Sequence, residues 1–136
     1  IWSSNNSSNM RAWIDFKPEL SETIYKGSDM FLMPSLFEPC GISQMIAMKY
    51  GTLPIVRAVG GLDDTVVAYP NEKANGFKFL TYDARSMVDE IKKGVWTYID
   101  RRDEFNKMVD NAIKCRFTWD DSAKCYMALY KDALNG

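Results

Sequence analysis

Residues Pro34–Asp64, PSLFEPCGISQMIAMKYGTLPIVRAVGGLDD, decide how this chain folds. At their centre Phe37-Glu38-Pro39-Cys40-Gly41-Ile42-Ser43 reads as a tight bend carrying one carboxylate and one glycine. The apolar run Met30–Met33 before it has the character of a strand, and the pattern Ile42–Tyr50 after it is helical. In an open α/β sheet, ligands sit where the carboxyl end of a strand bends into a helix. The helix N-terminus offers unpaired N–H groups and a partial positive charge to a phosphate. Glu38, at the rim, then faces hydroxyls, because a carboxylate and a phosphate repel. Without its flanks, a bend of this composition also fits an ordinary βα loop with a solvated acid.

Upstream, Met10–Phe16 alternates apolar residues and predicts a short strand. Pro18 opens a helix over Pro18–Lys26, with Glu19 and Glu22 at its positive end and Gly27-Ser28 closing it. Asp29–Met33 is nearly continuous in apolar residues and predicts a buried parallel strand. Downstream, Ile42–Tyr50 is apolar around most of its circumference, Gln44 being the polar exception, so this helix is expected to be buried on more than one side. Leu53–Val59 is the next buried strand, and Val59-Gly60-Gly61-Leu62 a second strand-to-helix bend. A short helix or turn at Asp63–Ala68, a loop at Asn71–Gly76 and a last strand at Phe77–Leu80 follow.

From Ala84 the pattern is helical. Met87, Val88, Ile91, Val95 and Ile99 keep helical spacing behind a candidate N-cap, Asp83, and Gly94 weakens the helix locally. Arg102–Cys115 and Trp119–Leu134 form two more helices, the second capped by Thr118. Its stripe of Trp119, Ala123, Tyr126, Met127, Tyr130 and Leu134 predicts a core-facing surface, with a carbohydrate platform as the alternative. Alternating strands and helices followed by helices alone mean α/β with a parallel sheet. Residues 10–80 form the α/β part and 81–136 the C-terminal helices of one domain. The polar opening Ile1–Asn9 has the composition of a linker, a tag or a cloning scar.

At 136 residues the chain is one domain or part of one, 46% hydrophobic and 26% charged, enough for a real core. A formal net charge of −1 gives no reason to expect nucleic acid or an anionic membrane as partner. No apolar run has the length of a membrane span, and no signal peptide is visible. The three cysteines, Cys40, Cys115 and Cys125, lack metal-ligand spacing, and there is no histidine. This argues against a zinc site, means that any Ser–His or Cys–His nucleophile would take its base from another chain or a missing domain, and fits reduced thiols in a reducing compartment. The Asp63-Asp64 pair has too few neighbouring ligands for a metal and reads as solvated. No cofactor is implied.

The bend does not stand alone. Pro34-Ser35, Glu38-Pro39-Cys40-Gly41, Tyr50-Gly51-Thr52-Leu53-Pro54-Ile55-Val56-Arg57, Gly60-Gly61-Leu62 and Asp64-Thr65-Val66 occur in that order. Together they closely resemble bacterial glycogen synthase and plant starch synthase, retaining glucosyltransferases of the two-Rossmann-domain (GT-B) type. The resemblance runs from about Arg11 to Leu134 and identifies the chain with the later part of the nucleotide-sugar-binding domain. It implies ADP-glucose, or else UDP-glucose, as donor and the non-reducing end of an α-1,4-glucan as acceptor, in bacterial cytoplasm or plastid stroma. It makes Glu38 the catalytic candidate, a positioning and electrostatic group at the sugar hydroxyls. The diphosphate falls to the Gly41, Ile42 and Ser43 amides and the Ser43 hydroxyl. Cys40 contributes shape and a backbone contact, and Phe16 stacks on the base. Structural roles stand beside these: a helix-opening serine, a small buried thiol, a core phenylalanine and a turn glycine.

Two departures from the pattern matter. Many related transferases hold the ribose with a second glutamate eight residues after the first, and this chain has Ile46 there. That favours the glycogen and starch synthase branch over the sucrose-synthase-like one. The family's diphosphate-neutralising Arg and Lys, its acceptor-binding domain and the first two strands of its 3-2-1-4-5-6 sheet have no counterpart here. Met10–Phe16 would be the third strand of that sheet, displaced, unpaired or exchanged with another copy of the chain. An inactive fragment is therefore expected. Another GT-B transferase and a non-catalytic nucleotide-sugar-binding module are the alternatives.

Overall fold

The computed structural model describes residues 9–136, so nearly all of the opening segment 1–9 lies outside the described residues. In chain order the elements are α1 (Pro18–Gly27), β1 (Met30–Met33), α2 (Ser43–Lys49), β2 (Leu53–Arg57), α3 (Gly60–Thr65), β3 (Phe77–Phe79), α4 (Ala84–Asp100), α5 (Arg102–Lys114) and α6 (Trp119–Asn135). The strands form one parallel sheet in the order β1-β2-β3, with Met30 opposite Leu53 and Ile55 opposite Phe77. This order is the one that the last three strands of a 3-2-1-4-5-6 sheet would have.

The alternation of β2 divides the core. Leu53 and Ile55 pack with Met48, Phe77, Phe79, Phe105, Met108 and Ala112 under α2, α4 and α5. Val56 points the other way, onto Leu62 and Val66 behind α3. Pro54 is tolerated in this central strand for a geometric reason. Leu53 N–H donates to Asp29 O on the β1 side, so the Pro54 nitrogen faces β3, whose ladder starts one residue later at Ile55–Phe77.

Local chemistry sets the helix ends. After α2, Thr52 N–H donates to Ala47 O and Gly51 N–H to Met48 O, with Gly51 at φ +82°, which is a Schellman closure. The buried Thr52 hydroxyl then lies 2.5 Å from Tyr25 O and 2.7 Å from Ser28 O, fastening the end of α1 to β2. Asp83 caps α4 by accepting from Ser86 N–H at 2.9 Å. Gly94 has a further role: a Cβ there would stand 3.0 Å from Met30 Sδ and 3.4 Å from Ile55 Cδ1. It lets α4 lie close against the sheet.

Four expectations need correction. Met10–Phe16 forms no strand; it is irregular and exposed, because no neighbouring ladder takes up its backbone groups. The strand at Asp29–Met33 is half-buried rather than buried, with Leu32 38% exposed, since β1 is the sheet edge. The aromatic stripe of α6 faces no core: none of its residues is buried, because no element of the described residues covers it. Thr118 stands at its N-cap, yet its hydroxyl goes to Asp121 Oδ2 and not to a backbone N–H. Gln44 is fully buried, for reasons that belong to the site.

Gly94→Leu is expected to cost about 1–3 kcal/mol by overpacking, read as a lower urea midpoint, with Gly94→Ala nearly neutral because the gained helix propensity offsets the crowding. The Ser86 N–H bond holds Asp83 below the ordinary aspartate pKa of 3.8. A depressed folded pKa gives stability that is full above the unfolded value and lost as pH falls through the folded one. Asp83→Ala should therefore lower the melting temperature near neutral pH, and the difference should vanish in strong acid.

Candidate functional site

Two bends meet at the carboxyl ends of the strands. The first, between β1 and α2, carries Glu38; the second, between β2 and α3, carries Gly60-Gly61. The Gly61 N–H donates to both Glu38 O, at 3.2 Å, and Pro39 O, at 3.3 Å. Contact is so close that a Cβ on Gly61 would stand 1.9 Å from Cys40 O, and one on Gly60 2.1 Å from Glu38 O. Gly60 also sits at φ +48°, where side chains are disfavoured. No other residue fits at either position.

Gln44 fills the space beneath. Its Nε2 donates to Gly41 O at 2.8 Å, Cys40 O at 3.2 Å and Thr65 Oγ1 at 3.1 Å, while Thr65 Oγ1 donates to Gly61 O at 2.6 Å. This amide ties the start of α2 to α3 across the two bends. Gly41, at φ +70°, leaves room for it: a Cβ there would stand 2.6 Å from Gln44 Oε1. On the other side, Arg57 at the end of β2 donates to Ser35 O at 2.8 Å and to Leu36 O.

The bend is thus held by main-chain and buried groups, and its outward side chains are spare. Leu36, Phe37 and Ile42 are 63%, 76% and 64% exposed. The half-buried Glu38 makes no side-chain hydrogen bond or ion pair among the described residues. Ile46 N–H to Ile42 O is the first i→i−4 bond of α2, so the amides of Ser43, Gln44 and Met45 precede the helix ladder. Clefts open on either side of the bend. One of about 380 Å³ is lined by Pro34, Phe79, Tyr82 and Met87. Another of about 340 Å³ lies between α2 and the α5–α6 connection, lined by Ile42, Ile46, Lys49, Arg116 and Phe117.

The model of the family described as "Glycosyl transferases group 1" matches residues 5–115. This chain belongs to the group 1 glycosyl transferases. Within this family of transferases it is similar to the glycogen synthase of Alkaliphilus metalliredigens, 50% identical over 118 residues that cover 85% of this chain and 25% of that protein. It is also similar to the glycogen synthase of Clostridioides difficile, 47% identical over 133 residues, 96% of this chain and 28% of that one. Among solved structures it resembles the catalytic domain of starch synthase IV from Arabidopsis thaliana bound to ADP and acarbose. That match has a TM-score of 0.80 and 35% identity, and covers 90% of this chain and 26% of that one. The chain spans about a quarter of the length of the curated relatives it matches.

In this group 1 transferase, Glu38, Cys40, Gly41, Ile42 and Ser43 lie together on the bend, with Cys40 exposed rather than buried. Phe16 stands apart: it is 88% exposed, and no ring contact or hydrogen bond joins it to the bend among the described residues. Asp63 is engaged by Lys78 Nζ at 2.7 Å. Gln44, Arg57 and Thr65 were not legible in the sequence as parts of this site, and Gly60-Gly61 had no firm role there. A glutamine three residues after the bend glycine, on an otherwise apolar helix, was the available signal for the first.

Gly61→Ala is expected to lower unfolding stability by about 3 kcal/mol or more, since backbone must move to admit the methyl. Gly27→Ala, in the last turn of α1 with nothing within 4 Å of its Cβ position, should instead raise it by about 0.5 kcal/mol. Denaturant titration of the pair separates the close contact from a general intolerance of alanine.

Proposed function

We propose that this chain forms the donor-binding part of a glycogen or starch synthase, which moves glucose from ADP-glucose to the non-reducing end of an α-1,4-glucan with retention. The observation that carries this reading is the half-buried Glu38, whose backbone is fixed on both sides while its carboxylate has no partner among the described residues. A carboxylate held in place without an internal partner is prepared for a ligand.

In this reading Glu38 orients the glucose hydroxyls near the reacting carbon and stabilises positive charge developing on the ring. The amides of Gly41, Ile42 and Ser43 and the Ser43 hydroxyl receive the diphosphate, where the leaving group's charge grows. Cys40 shapes the wall, and Phe16 stacks on the base once its segment is packed. ADP in the Arabidopsis relative supports an adenine donor over UDP-glucose. Ile46 in place of a second glutamate supports the glycogen and starch synthase branch. The reaction belongs in bacterial cytoplasm or plastid stroma. These 136 residues match about a quarter of the length of those relatives, and donor and acceptor must be closed over to exclude water, so we infer that this stretch by itself does not transfer glucose.

The test is a chimaera in which these residues replace the matching segment of the Clostridioides difficile glycogen synthase. It should extend glycogen from ADP-glucose, whereas the 136-residue polypeptide should not. Glu38→Ala in the chimaera should lower turnover at least about 100-fold. Unchanged turnover would remove Glu38 from the mechanism, and ADP-glucose binding in calorimetry by an inactive chimaera would favour a non-catalytic binding module. Chain extension by the polypeptide alone would overturn its assigned inactivity.

A further inference from the structure

The backbone ahead of Glu38 is held by one side chain. Arg57 stands at the carboxyl end of the central strand β2, half-buried. Its Nε donates to Ser35 O at 2.8 Å and a terminal NH2 donates to Leu36 O. Its guanidinium carbon lies 5.7 Å from the ring centre of Tyr82, within cation–π range. No carboxylate pairs with it among the described residues. A permanently charged group therefore spends its directed donors on two successive carbonyls rather than on an acid. Only the planar arginine fork reaches two acceptors at fixed angles; a lysine ammonium is one rotating point.

We propose that Arg57 is a positioning residue for glucosyl transfer, a tether from the sheet centre that sets the angle at which the bend presents Glu38, with Tyr82 steadying the tether. This rests on the donor reading of Glu38 given above. Arg57 touches no reacting atom. Its loss strips the donors from Ser35 and Leu36 but leaves the Gly61 N–H on Glu38 O and Pro39 O. The bend then pivots about its glycine contact instead of coming loose. A pivot of that kind spoils reacting geometry more than it weakens binding, because a misplacement of about 1 Å costs on the order of 100-fold in rate.

The experiment uses the same chimaera, with Arg57→Met, Arg57→Lys, Tyr82→Leu, Glu38→Gln and the double variant Glu38→Gln/Arg57→Met. Arg57→Met should lower kcat about 10- to 100-fold with donor KM within about threefold, at a melting temperature close to that of the parent. Arg57→Lys should recover part of the loss, and Tyr82→Leu should show a smaller one. In the Glu38→Gln background, Arg57→Met should lower kcat by less than about threefold more, since it acts through Glu38. An Arg57→Met enzyme with parental kcat, beside a slowed Glu38→Gln enzyme, would overturn the tether alone. So would a full repeat of the Arg57→Met penalty on top of Glu38→Gln. A Glu38→Gln enzyme with parental kcat would overturn the donor reading and the tether with it. Should Arg57→Met fail to fold, Arg57→Lys decides by the same cycle: parental kcat, or a full penalty in the Glu38→Gln background, would sink the proposal.

Discussion

Everything at the carboxyl edge of this sheet depends on one peptide N–H. The Gly61 amide reaches across from the β2–α3 bend and is shared by two carbonyls of the β1–α2 bend, those of Glu38 and Pro39. Backbone lies directly on backbone there, and two adjacent glycines make the approach possible. A shared donor of this kind contributes about 1 kcal/mol in itself. Its structural effect is larger, because it fixes the separation between the two bends and so creates the void that Gln44 fills.

The rest of the fold delivers those bends to one another. β2 lies in the middle of the sheet and supplies side chains to both cores, so it is anchored from both faces. Arg57 and the second bend both issue from its carboxyl end. The Schellman closure of α2 and the Thr52 hydroxyl return the chain tightly from the first bend to β2. α4 seals the sheet by coming close at Gly94. Site geometry and core packing are in this sense one construction, resting on the same five-residue strand.

What could be read in the sequence was whatever is decided locally. The Pro18 start of α1, the Asp83 cap and the parallel α/β class follow from turn chemistry and periodicity, and each is found where those rules put it. The bend was recognised through an ordered set of residues much longer than a glycine signature. Legibility failed where a residue's fate depends on a surface the sequence does not describe. Met10–Phe16 alternates like a strand but finds no edge, and α6 is amphipathic but finds no core. Gln44 failed differently: it stood in the sequence only as the polar exception on an apolar helix, while the curvature of two remote turns made it the buried link between them. Gly94 read as a weakness in a helix when its importance lies in what stands opposite.

Holding the bend by its main chain also separates two tasks that proteins often combine in the same atoms. The outward side chains at Leu36, Phe37 and Ile42 carry none of the hydrogen bonds that give the bend its shape. They are free to change in size and polarity while the acid between them stays put. A scaffold of this sort lets the surroundings of Glu38 be re-lined one residue at a time, with the shape of the bend inherited unchanged.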